Sequence, residues 1–172
     1  MIDLKQHIRS LPDFPKPGIT FYDIGTLLAH GPAWRETVAR LAELVRPLKP
    51  DVLIGIESRG FLVAAPLAAM LGTGFVMMRK KGKLPGRTLA YSYDLEYGTD
   101  TVEMQEGILH SGQRAILCDD LLATGGTAAA TATLVRRAGV DIIHAVFIIE
   151  LSFLNGRKKL DMPVTSLVSY NE

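Results

Sequence analysis

The hydrophobic and polar positions of the chain alternate between short apolar runs and longer amphipathic segments. The short runs are rich in Val, Ile and Leu, which is typical of strands buried on both faces of a parallel sheet. The amphipathic segments repeat their apolar residues every three to four positions, which is typical of helices packed on such a sheet. This order predicts an α/β fold with strands at 51–56, 74–78, 115–118, 141–149 and 164–170, and helices at 32–48, 61–71 and 128–138.

Other segments depart from this simple alternation. Residues 3–11 predict a short helix that Pro12 stops, and residues 13–23 contain too many prolines for a helix or a central strand, which predicts a rigid extended loop. Residues 87–105 alternate apolar and polar positions around a polar tip, which predicts an antiparallel hairpin that can move as a lid. Pro66 lies inside a predicted helix, so we expect a kink or a later helix start there.

The length and charge are those of one ordinary globular domain. The chain has 172 residues, of which 48% are apolar and 22% charged, and its formal net charge is +1. So small a charge gives no broad attraction to nucleic acid or membrane surfaces. The single cysteine, Cys118, excludes an internal disulfide and suits a reducing cytoplasm. No secretory signal, membrane-spanning run or metal-ligand spacing of histidines is apparent.

The strongest candidate site follows the strand at 115–118, where two adjacent acids precede a glycine-rich loop. Such a loop lies at the carboxyl end of a strand, where open α/β sheets bind ligands. Its glycines let the backbone approach a phosphate, and the first N–H groups of the next helix can donate to it. Carboxylates repel phosphate, so the acids should face sugar hydroxyls or a divalent cation. The alternative is an ordinary strand-to-helix connection. The residues of this candidate site are Asp119, Asp120, Ala123, Thr124, Gly125, Gly126 and Thr127.

A second polar loop, residues 57–60, follows the strand at 51–56. Its backbone N–H groups and the Arg59 guanidinium, which matches phosphate oxygens, predict a second anion site. The next strand runs into a basic segment, residues 79–87, with five cations in nine residues. Beside an anion site these cations are candidate phosphate ligands, whereas elsewhere they would form only a solvated loop. Arg59 has a similar alternative as a surface arginine at a helix start.

These motifs together resemble the type I phosphoribosyltransferases, and the residues around Asp119 are most similar to the adenine phosphoribosyltransferase family. The resemblance covers residues 12–170 and implies an open, mostly parallel central sheet flanked by helices. It implies that Asp119 and Asp120 hold the ribose hydroxyls of 5-phosphoribosyl 1-pyrophosphate (PRPP). The phosphate loop, residues 123–127, would then hold its 5′-phosphate. The implied pyrophosphate ligands are Glu57, Ser58, Arg59, Gly60, Arg79, Lys80, Lys83 and Tyr97.

The resemblance adds two details to the pyrophosphate site. The loop that matches residues 57–60 commonly carries a cis peptide, so we expect one between Glu57 and Ser58. In that family the lysine that matches Lys83 can reach the site from a neighbouring subunit.

Two further segments match the family. Leu95-Glu96-Tyr97-Gly98 resembles the catalytic loop, which implies that Glu96 is catalytic together with Arg59. Glu96 would either stabilise charge on the ribose or hydrogen-bond the base at N7, whereas a glutamate in a loop is otherwise only a solvated charge. It lies in the lid, residues 80–105.

The N-terminal hood, residues 1–32, resembles the family's cover over the base. The aromatic ring that matches Phe21 stacks there on adenine, although stacking suits any purine and Phe21 could instead only pack the loop. The implied base-binding residues are Thr20, Phe21, Tyr22 and Leu151.

The reaction implied by the resemblance is Mg²⁺-dependent purine salvage, in which adenine and PRPP give AMP and pyrophosphate. The implied protein is a cytoplasmic homodimer that binds neither nucleic acid nor membrane. Because Mg²⁺ prefers oxygen ligands and keeps waters, we expect it to be held mainly through PRPP and water and by no all-protein site. Two alternatives stay open, namely transfer to another base, such as another purine or orotate, and a non-catalytic PRPP-binding regulator. A P-loop nucleotidase is disfavoured because its glycine-lysine motif is absent.

Overall fold

The apolar runs of the sequence form one large sheet, and the amphipathic segments pack on its two faces. The computed structural model describes residues 1–94 and 98–172. Strands β1 (Arg9–Leu11) and β2 (Phe21–Asp23) form a small separate sheet. The strands of the large sheet are β3 (Val52–Ile56), β4 (Gly74–Lys80), β5 (Thr88–Asp94), β6 (Thr99–Gln105), β7 (Arg114–Leu122), β8 (Asp141–Leu151) and β9 (Val164–Tyr170).

The helices connect these strands in the order that the sequence predicts. They are α1 (Gly25–Ala29), α2 (Gly31–Val45), α3 (Gly60–Leu71) and α4 (Gly126–Arg137) in the described residues. Short 3₁₀ turns span Leu4–His7, Arg46–Leu48, Ser152–Leu154 and Gly156–Lys159. Across the sheet the strand order is β5-β6-β4-β3-β7-β8-β9. The pairs among β4, β3, β7, β8 and β9 are parallel, which confirms the predicted open, mostly parallel sheet.

Both faces of the central strands are buried in hydrophobic clusters. Along β8, Phe147 belongs to the cluster that contains α4, whereas Val146 and Ile148 belong to the cluster that contains α2 and α3. This alternation is the period of two that a strand imposes on its side chains. Burial on both faces explains why these strands read as continuous apolar runs in the sequence.

The prediction for residues 3–11 is wrong beyond the first turn. Only Leu4–His7 is helical, and the next residues form β1, which pairs antiparallel with β2. A salt bridge of 2.6 Å joins Arg9 Nη2 to Asp23 Oδ2 across this pair. The pairing partner is distant in sequence, so the local spacing of apolar residues could not reveal it. The short helix α1 was likewise not predicted.

Helix α3 begins directly after the second polar loop. It starts at Gly60 and runs to Leu71 with Pro66 inside it, so the later start considered for this helix is wrong. Its early start places the first helical N–H groups beside residues 57–59, as an anion site requires. No helix in the described part of the chain combines the length and hydrophobicity that crossing a bilayer requires.

The predicted hairpin at residues 87–105 is confirmed as an antiparallel pair. Strands β5 and β6 pair from Thr88 with Gln105 to Asp94 with Thr99, and β6 joins the large sheet beside β4. Val102 and Met104 of β6 are buried in the core. The base of the hairpin is therefore part of the main sheet, and movement of its tip stays a prediction.

Candidate active site

A cleft opens at the carboxyl ends of the central strands. It has a volume of about 440 Å³ and is lined by the ends of β3, β4 and β7, by the loops that follow β3 and β7, and by side chains of β5 and β6. Helix α3 follows β3 on one face of the sheet and α4 follows β7 on the other. The cleft thus lies where the chain changes from one face to the other, which is where open α/β sheets bind ligands.

The two acids lie inside β7 rather than after it. The strand was expected to end at Cys118, but it continues through Asp119 and Asp120 to Leu122, paired with β8. Asp120 is buried, with 4% of its surface exposed, and its backbone N–H donates to Asp119 Oδ1 at 2.9 Å. Burial raises the pKa of Asp119, and the neighbouring charge of Asp120 raises it further.

Arg59 links this acidic pair to the second polar loop. Its Nε lies 2.8 Å from Asp120 Oδ2, and its guanidinium lies 5.5 Å from the centre of the Phe21 ring. Burial raises the pKa of Asp120, and the charge of Arg59 opposes that rise. With 41% of its side chain exposed, the arginine stands at the start of α3 and borders the cleft, where it is paired with Asp120. The sequence contains both residues but no signal of their pairing.

The phosphate loop has the backbone form that its glycines predict. Gly125 has φ of 76°, a left-handed value that glycine adopts readily, and Gly126 is the first residue of α4. The predicted loop residues all line the cleft, from Ala123 to Thr127. Thr127 Oγ1 lies 3.0 Å from the hydroxyl of Tyr93 on β5, and burial raises the pKa of that tyrosine. Sequence reasoning missed Tyr93, which appeared only as an alternating strand residue.

The second polar loop lies opposite the phosphate loop. The peptide between Glu57 and Ser58 is cis, as expected. A Cβ atom added to Gly60 would lie 2.7 Å from the carbonyl oxygen of Cys118. Any residue other than glycine would therefore clash there. Loop and strand β7 are therefore in direct backbone contact.

Glu57 organises the cations of the site. Its carboxylate accepts hydrogen bonds from the backbone N–H of Lys80 at 2.8 Å, from Arg79 Nε at 3.3 Å and from Lys83 Nζ. Burial raises the pKa of Glu57, but these three hydrogen bonds outweigh it and hold the pKa below its usual value. Lys83 thus contacts Glu57, a residue that lines the cleft, within its own chain. Among the predicted pyrophosphate ligands, Glu57 is placed to hold the cations and not to face an anion itself.

Lys80 of the basic segment lies toward the hairpin. Lys80 Nζ is 3.3 Å from Asp100 Oδ2 on β6, and both residues line the cleft. Glu103, also on β6, is buried and accepts the backbone N–H of Gly82 at 2.9 Å. Acidic side chains of β6 therefore hold the start of the basic segment at the cleft mouth.

The residues predicted to bind the base are less closely grouped. Phe21 contacts Arg59 and packs edge-to-face on Phe14, with ring centres 5.3 Å apart. Tyr22 stacks on Tyr170 at 3.8 Å. These predictions stay untested, because the described wall of the 440 Å³ cleft includes none of the four residues Thr20, Phe21, Tyr22 and Leu151.

Two predicted residues, Glu96 and Tyr97, lie outside the described residues. Their roles stay predictions from the resemblance. Residues 1–94 and 98–172 hold no group of three or more His, Cys, Asp or Glu side chains placed to bind a metal ion together.

Comparison with known proteins gives a consistent result. The family described as phosphoribosyl transferase domain matches residues 25–171. Adenine phosphoribosyltransferase of Rhodospirillum centenum is 64% identical over 169 residues, which cover 98% of this chain and 99% of that protein. The crystal structure of adenine phosphoribosyltransferase from Thermoanaerobacter pseudethanolicus superimposes with a TM-score of 0.94 at 48% identity, covering 97% of this chain and 98% of that one.

A third relative was crystallised with ligands. Adenine phosphoribosyltransferase from Saccharomyces cerevisiae, in complex with adenine and an imino-altritol bisphosphate, has a TM-score of 0.90 and 39% identity, covering 95% of this chain and 96% of that one. The family match, the sequence identities and the structural superpositions all point to one family. The chain therefore belongs to the adenine phosphoribosyltransferase family of the phosphoribosyl transferases.

Proposed function

We propose that this protein transfers the phosphoribosyl group of PRPP to adenine, forming AMP and releasing pyrophosphate. The observation that carries the proposal is the acidic pair of β7, with Asp120 buried and paired to Arg59, at a cleft lined by two glycine-containing loops. Such a cleft offers N–H donors for two separate anions and carboxylates for the hydroxyls between them. The name of the Rhodospirillum centenum relative and the ligands of the yeast relative support adenine as the base.

The phosphate loop and the acidic pair would hold the ribose 5-phosphate half of PRPP. Backbone N–H groups at the start of α4 and the hydroxyls of Thr124 and Thr127 would donate to the 5′-phosphate. Asp119 and Asp120 would accept hydrogen bonds from the ribose hydroxyls. Held in this way, the anomeric carbon is fixed between base and leaving group, which removes much of the entropic barrier of a two-substrate reaction.

In the reaction, the bond from C1′ to the pyrophosphate oxygen breaks, and its electron pair leaves with the pyrophosphate. N9 of adenine forms the new bond from the opposite face, and its proton passes to water or to the released pyrophosphate. Negative charge grows on the leaving group, so donors aimed at that charge accelerate the step. Arg59, Arg79 and Lys83 are the described side chains suited to this role, and Glu57 keeps two of them together.

Magnesium fits the donors at this cleft. The two aspartates offer oxygen ligands, which Mg²⁺ prefers, but they are too few for an all-protein site among the described residues. The metal would be held mainly by PRPP oxygens and water. The chemistry that Mg²⁺ supplies when bound is neutralisation of the pyrophosphate charge.

The hood and the lid would complete the site. Phe21 would stack on the base, with Thr20, Tyr22 and Leu151 around it. Glu96 would act on the base or on the ribose charge, and Tyr97 would close over PRPP. Closure of residues 80–105 over the cleft would exclude water, which competes with adenine for the ribose.

We also propose a cytoplasmic homodimer. Large apolar side chains stand exposed on α3, on β4 and after β6, and association of two copies would remove them from water. They are Leu62, Met70, Met77 and Ile108. The single buried thiol of Cys118 suits a reducing compartment. Analytical ultracentrifugation at micromolar concentration tests the dimer, and a monomer would contradict it.

The reaction is tested by pyrophosphate release from PRPP and Mg²⁺ with adenine, guanine, hypoxanthine or orotate in turn. We expect release with adenine and little with the other bases. Release with another base alone would keep the mechanism and overturn the role given to the hood. Tight PRPP binding without release for any base would identify the protein as a non-catalytic regulator.

A further inference from the structure

The phosphate loop packs against a second glycine turn that the proposed mechanism does not use. Gly156 is buried and opens the 3₁₀ turn Gly156–Lys159. A Cβ atom added to Gly156 would lie 2.1 Å from the carbonyl oxygen of Ala123 and 2.9 Å from the nitrogen of Gly125. A Cβ atom added to Gly125 would lie 2.4 Å from the carbonyl oxygen of Gly156. Non-bonded atoms do not approach so closely, so the two backbones touch only because both positions are glycine.

The phosphate loop needs a rigid neighbour such as this turn to fix its conformation. Two successive glycines at Gly125 and Gly126 have more conformational freedom than any other residue pair, yet the N–H groups of this loop must keep one direction to hold a phosphate. Outside its own chain neighbours, the three atoms nearest to a Cβ added at Gly125 are all backbone atoms of Gly156, the farthest at 3.2 Å. The direction of the loop thus depends on where that turn is held.

An ion pair holds the turn in place. Arg157, directly after Gly156, donates from Nε to Glu150 Oε1 at 3.0 Å and from Nη2 to Oε2 of the same carboxylate. Its third nitrogen, Nη1, donates to the carbonyl oxygen of Val164. Ser166 Oγ donates to Glu150 Oε2 at 2.9 Å. One guanidinium therefore joins the turn to both β8 and β9, with the fork geometry that arginine provides and lysine does not.

The anchor of this ion pair lies close to the cleft. Glu150 is buried, with 7% of its surface exposed, and it pairs in register with Leu122 of β7, just before the phosphate loop. Hydrogen bonds from Arg157 hold the pKa of Glu150 below its usual value although burial opposes this. The carboxylate is thus an ionised and well-ordered partner for Arg157 at neutral pH.

We propose that Gly156 and Arg157 are positioning residues for the 5′-phosphate of PRPP and AMP: the ion pair with Glu150 fixes the turn, and the turn fixes the N–H groups of residues 123–127. This inference rests on the proposed function, because it assigns those N–H groups to the 5′-phosphate. It predicts a defect confined to ligands that carry this phosphate.

The test compares AMP with adenosine, which differs only by that phosphate. Dissociation constants of both ligands are measured by calorimetry for the wild-type protein, Arg157→Ala and Gly156→Ala. We expect the affinity for AMP to fall about tenfold or more in each variant, as for the loss of charged hydrogen bonds, with adenosine binding unchanged. In steady-state assays the KM for PRPP should rise while the KM for adenine stays the same.

Matched variants separate geometry from charge and from folding. Lys158→Ala removes a positive charge from an exposed position of the same turn and should leave AMP binding unchanged. Arg157→Lys keeps the positive charge but lacks the forked guanidinium, so its affinity for AMP should lie between those of Arg157→Ala and the wild type. If Gly156→Ala fails to fold, Arg157→Ala carries the test alone.

The outcomes are distinct. A preference for AMP over adenosine that survives in Arg157→Ala and in Gly156→Ala overturns the inference and leaves the proposed function standing. Equal loss of affinity for AMP and for adenosine also overturns it, because the Gly156 turn and its ion pair would then stabilise only the fold. A wild-type protein that shows no preference for AMP and releases no pyrophosphate overturns both proposals.

Discussion

At the scale of single residues, the two neighbouring acids of β7 have different surroundings. Asp120 is buried and paired with Arg59, whereas Asp119 accepts only the backbone N–H of Asp120 among the described hydrogen bonds of its side chain. Two adjacent carboxylates with one cation are costly to keep ionised, and burial increases that cost. We infer that stability is given up at Asp119 so that an unoccupied acceptor faces the ribose.

This inference predicts that Asp119→Asn stabilises the fold. Because folding raises the pKa of Asp119, the ionised carboxylate lowers the free energy of unfolding at neutral pH. This destabilisation is complete at a pH above the pKa of Asp119 in the folded protein, and it is absent at a pH below the pKa of Asp119 in the unfolded chain. The melting temperature of Asp119→Asn should therefore exceed that of the wild type by a few degrees at neutral pH, and the gain should shrink as the pH falls. Its transferase activity should fall.

Calorimetric melting across this pH range checks the prediction. Asp161→Asn is the control, because Asp161 is a surface acid paired with Arg136 outside the cleft. A wild-type protein that is more stable than Asp119→Asn at neutral pH would contradict the raised pKa.

Arg59 is the residue on which both loops and the acidic pair depend. Arg59→Ala leaves the buried carboxylate of Asp120 without its cation. It also removes the donor that we propose for the leaving pyrophosphate. We expect kcat/KM to fall by about a hundredfold or more, the usual cost of one charge-stabilising donor. Steady-state kinetics measure this fall. Arg136→Ala breaks a different arginine–aspartate pair, of 2.7 Å, and should keep full activity.

At the scale of elements, the hairpin of β5 and β6 is attached to the phosphate loop by one hydroxyl contact. Tyr93 on β5 reaches Thr127 at the start of α4, and the Arg137 guanidinium lies 4.6 Å from the ring centre of Tyr91 on the same strand. The hairpin thus rests on α4 along its length. We therefore expect this contact to couple the position of β5 to the loop that is proposed to hold the 5′-phosphate.

Removing that contact should weaken PRPP binding. Tyr93→Phe keeps the ring and loses the hydrogen bond to Thr127 at 3.0 Å, together with a long one to Asp100 at 3.5 Å. The loss of the bond to Thr127 is worth about 1 kcal/mol, or about fivefold in affinity. We expect the KM for PRPP to rise by about that factor in steady-state assays. Tyr91→Phe, two positions away on the same strand, is the control and should behave as the wild type. Equal KM values for both variants would argue against the tether.

Sequence patterns predicted the elements where the signal is local. The strands of the parallel sheet and helices α2, α3 and α4 follow from burial on one or two faces. Strand β1 did not, because its partner β2 is remote and its salt bridge joins Arg9 to Asp23. The extension of β7 through the acids was missed for a similar reason, since a buried aspartate in a strand is stable only with the distant Arg59 beside it.

The site shows the same division. The glycine loops were predicted from composition, because glycine has a direct backbone meaning. The contacts that arrange them were not, since the holding of the cations by Glu57 and the approach of Gly156 to Gly125 depend on folding. The roles of Glu96 and Tyr97 stay predictions.

At the scale of the whole molecule, the small sheet is joined to the last strand of the large one. Tyr22 of β2 stacks on Tyr170 of β9, and Lys5 Nζ lies 4.9 Å from the centre of the same Tyr170 ring. The Tyr22 hydroxyl also donates to the carbonyl oxygen of Glu172. The position of Phe21, next to Tyr22, therefore depends on these contacts outside the cleft as well as on its contact with Arg59.

Loss of this stack should affect the base alone. Tyr170→Ala removes an aromatic pair worth about 1 kcal/mol, so we expect the KM for adenine to rise by about fivefold with the KM for PRPP unchanged. Steady-state kinetics with each substrate varied in turn provide the check. Tyr170→Phe keeps the stack and should retain wild-type kinetics. A rise in the KM for PRPP instead would place the effect in the sheet and not in the hood.

The separate small sheet also bears on how such a protein evolves. The connection between β1 and β2 is exposed from residue 12 to residue 20 and belongs to a sheet separate from the large one. With the base assigned to the hood, as proposed, we expect base choice and sugar-phosphate chemistry to diverge largely independently. After duplication of the gene, a copy can acquire a new base through changes in one exposed segment while the costly part of the catalyst is inherited intact.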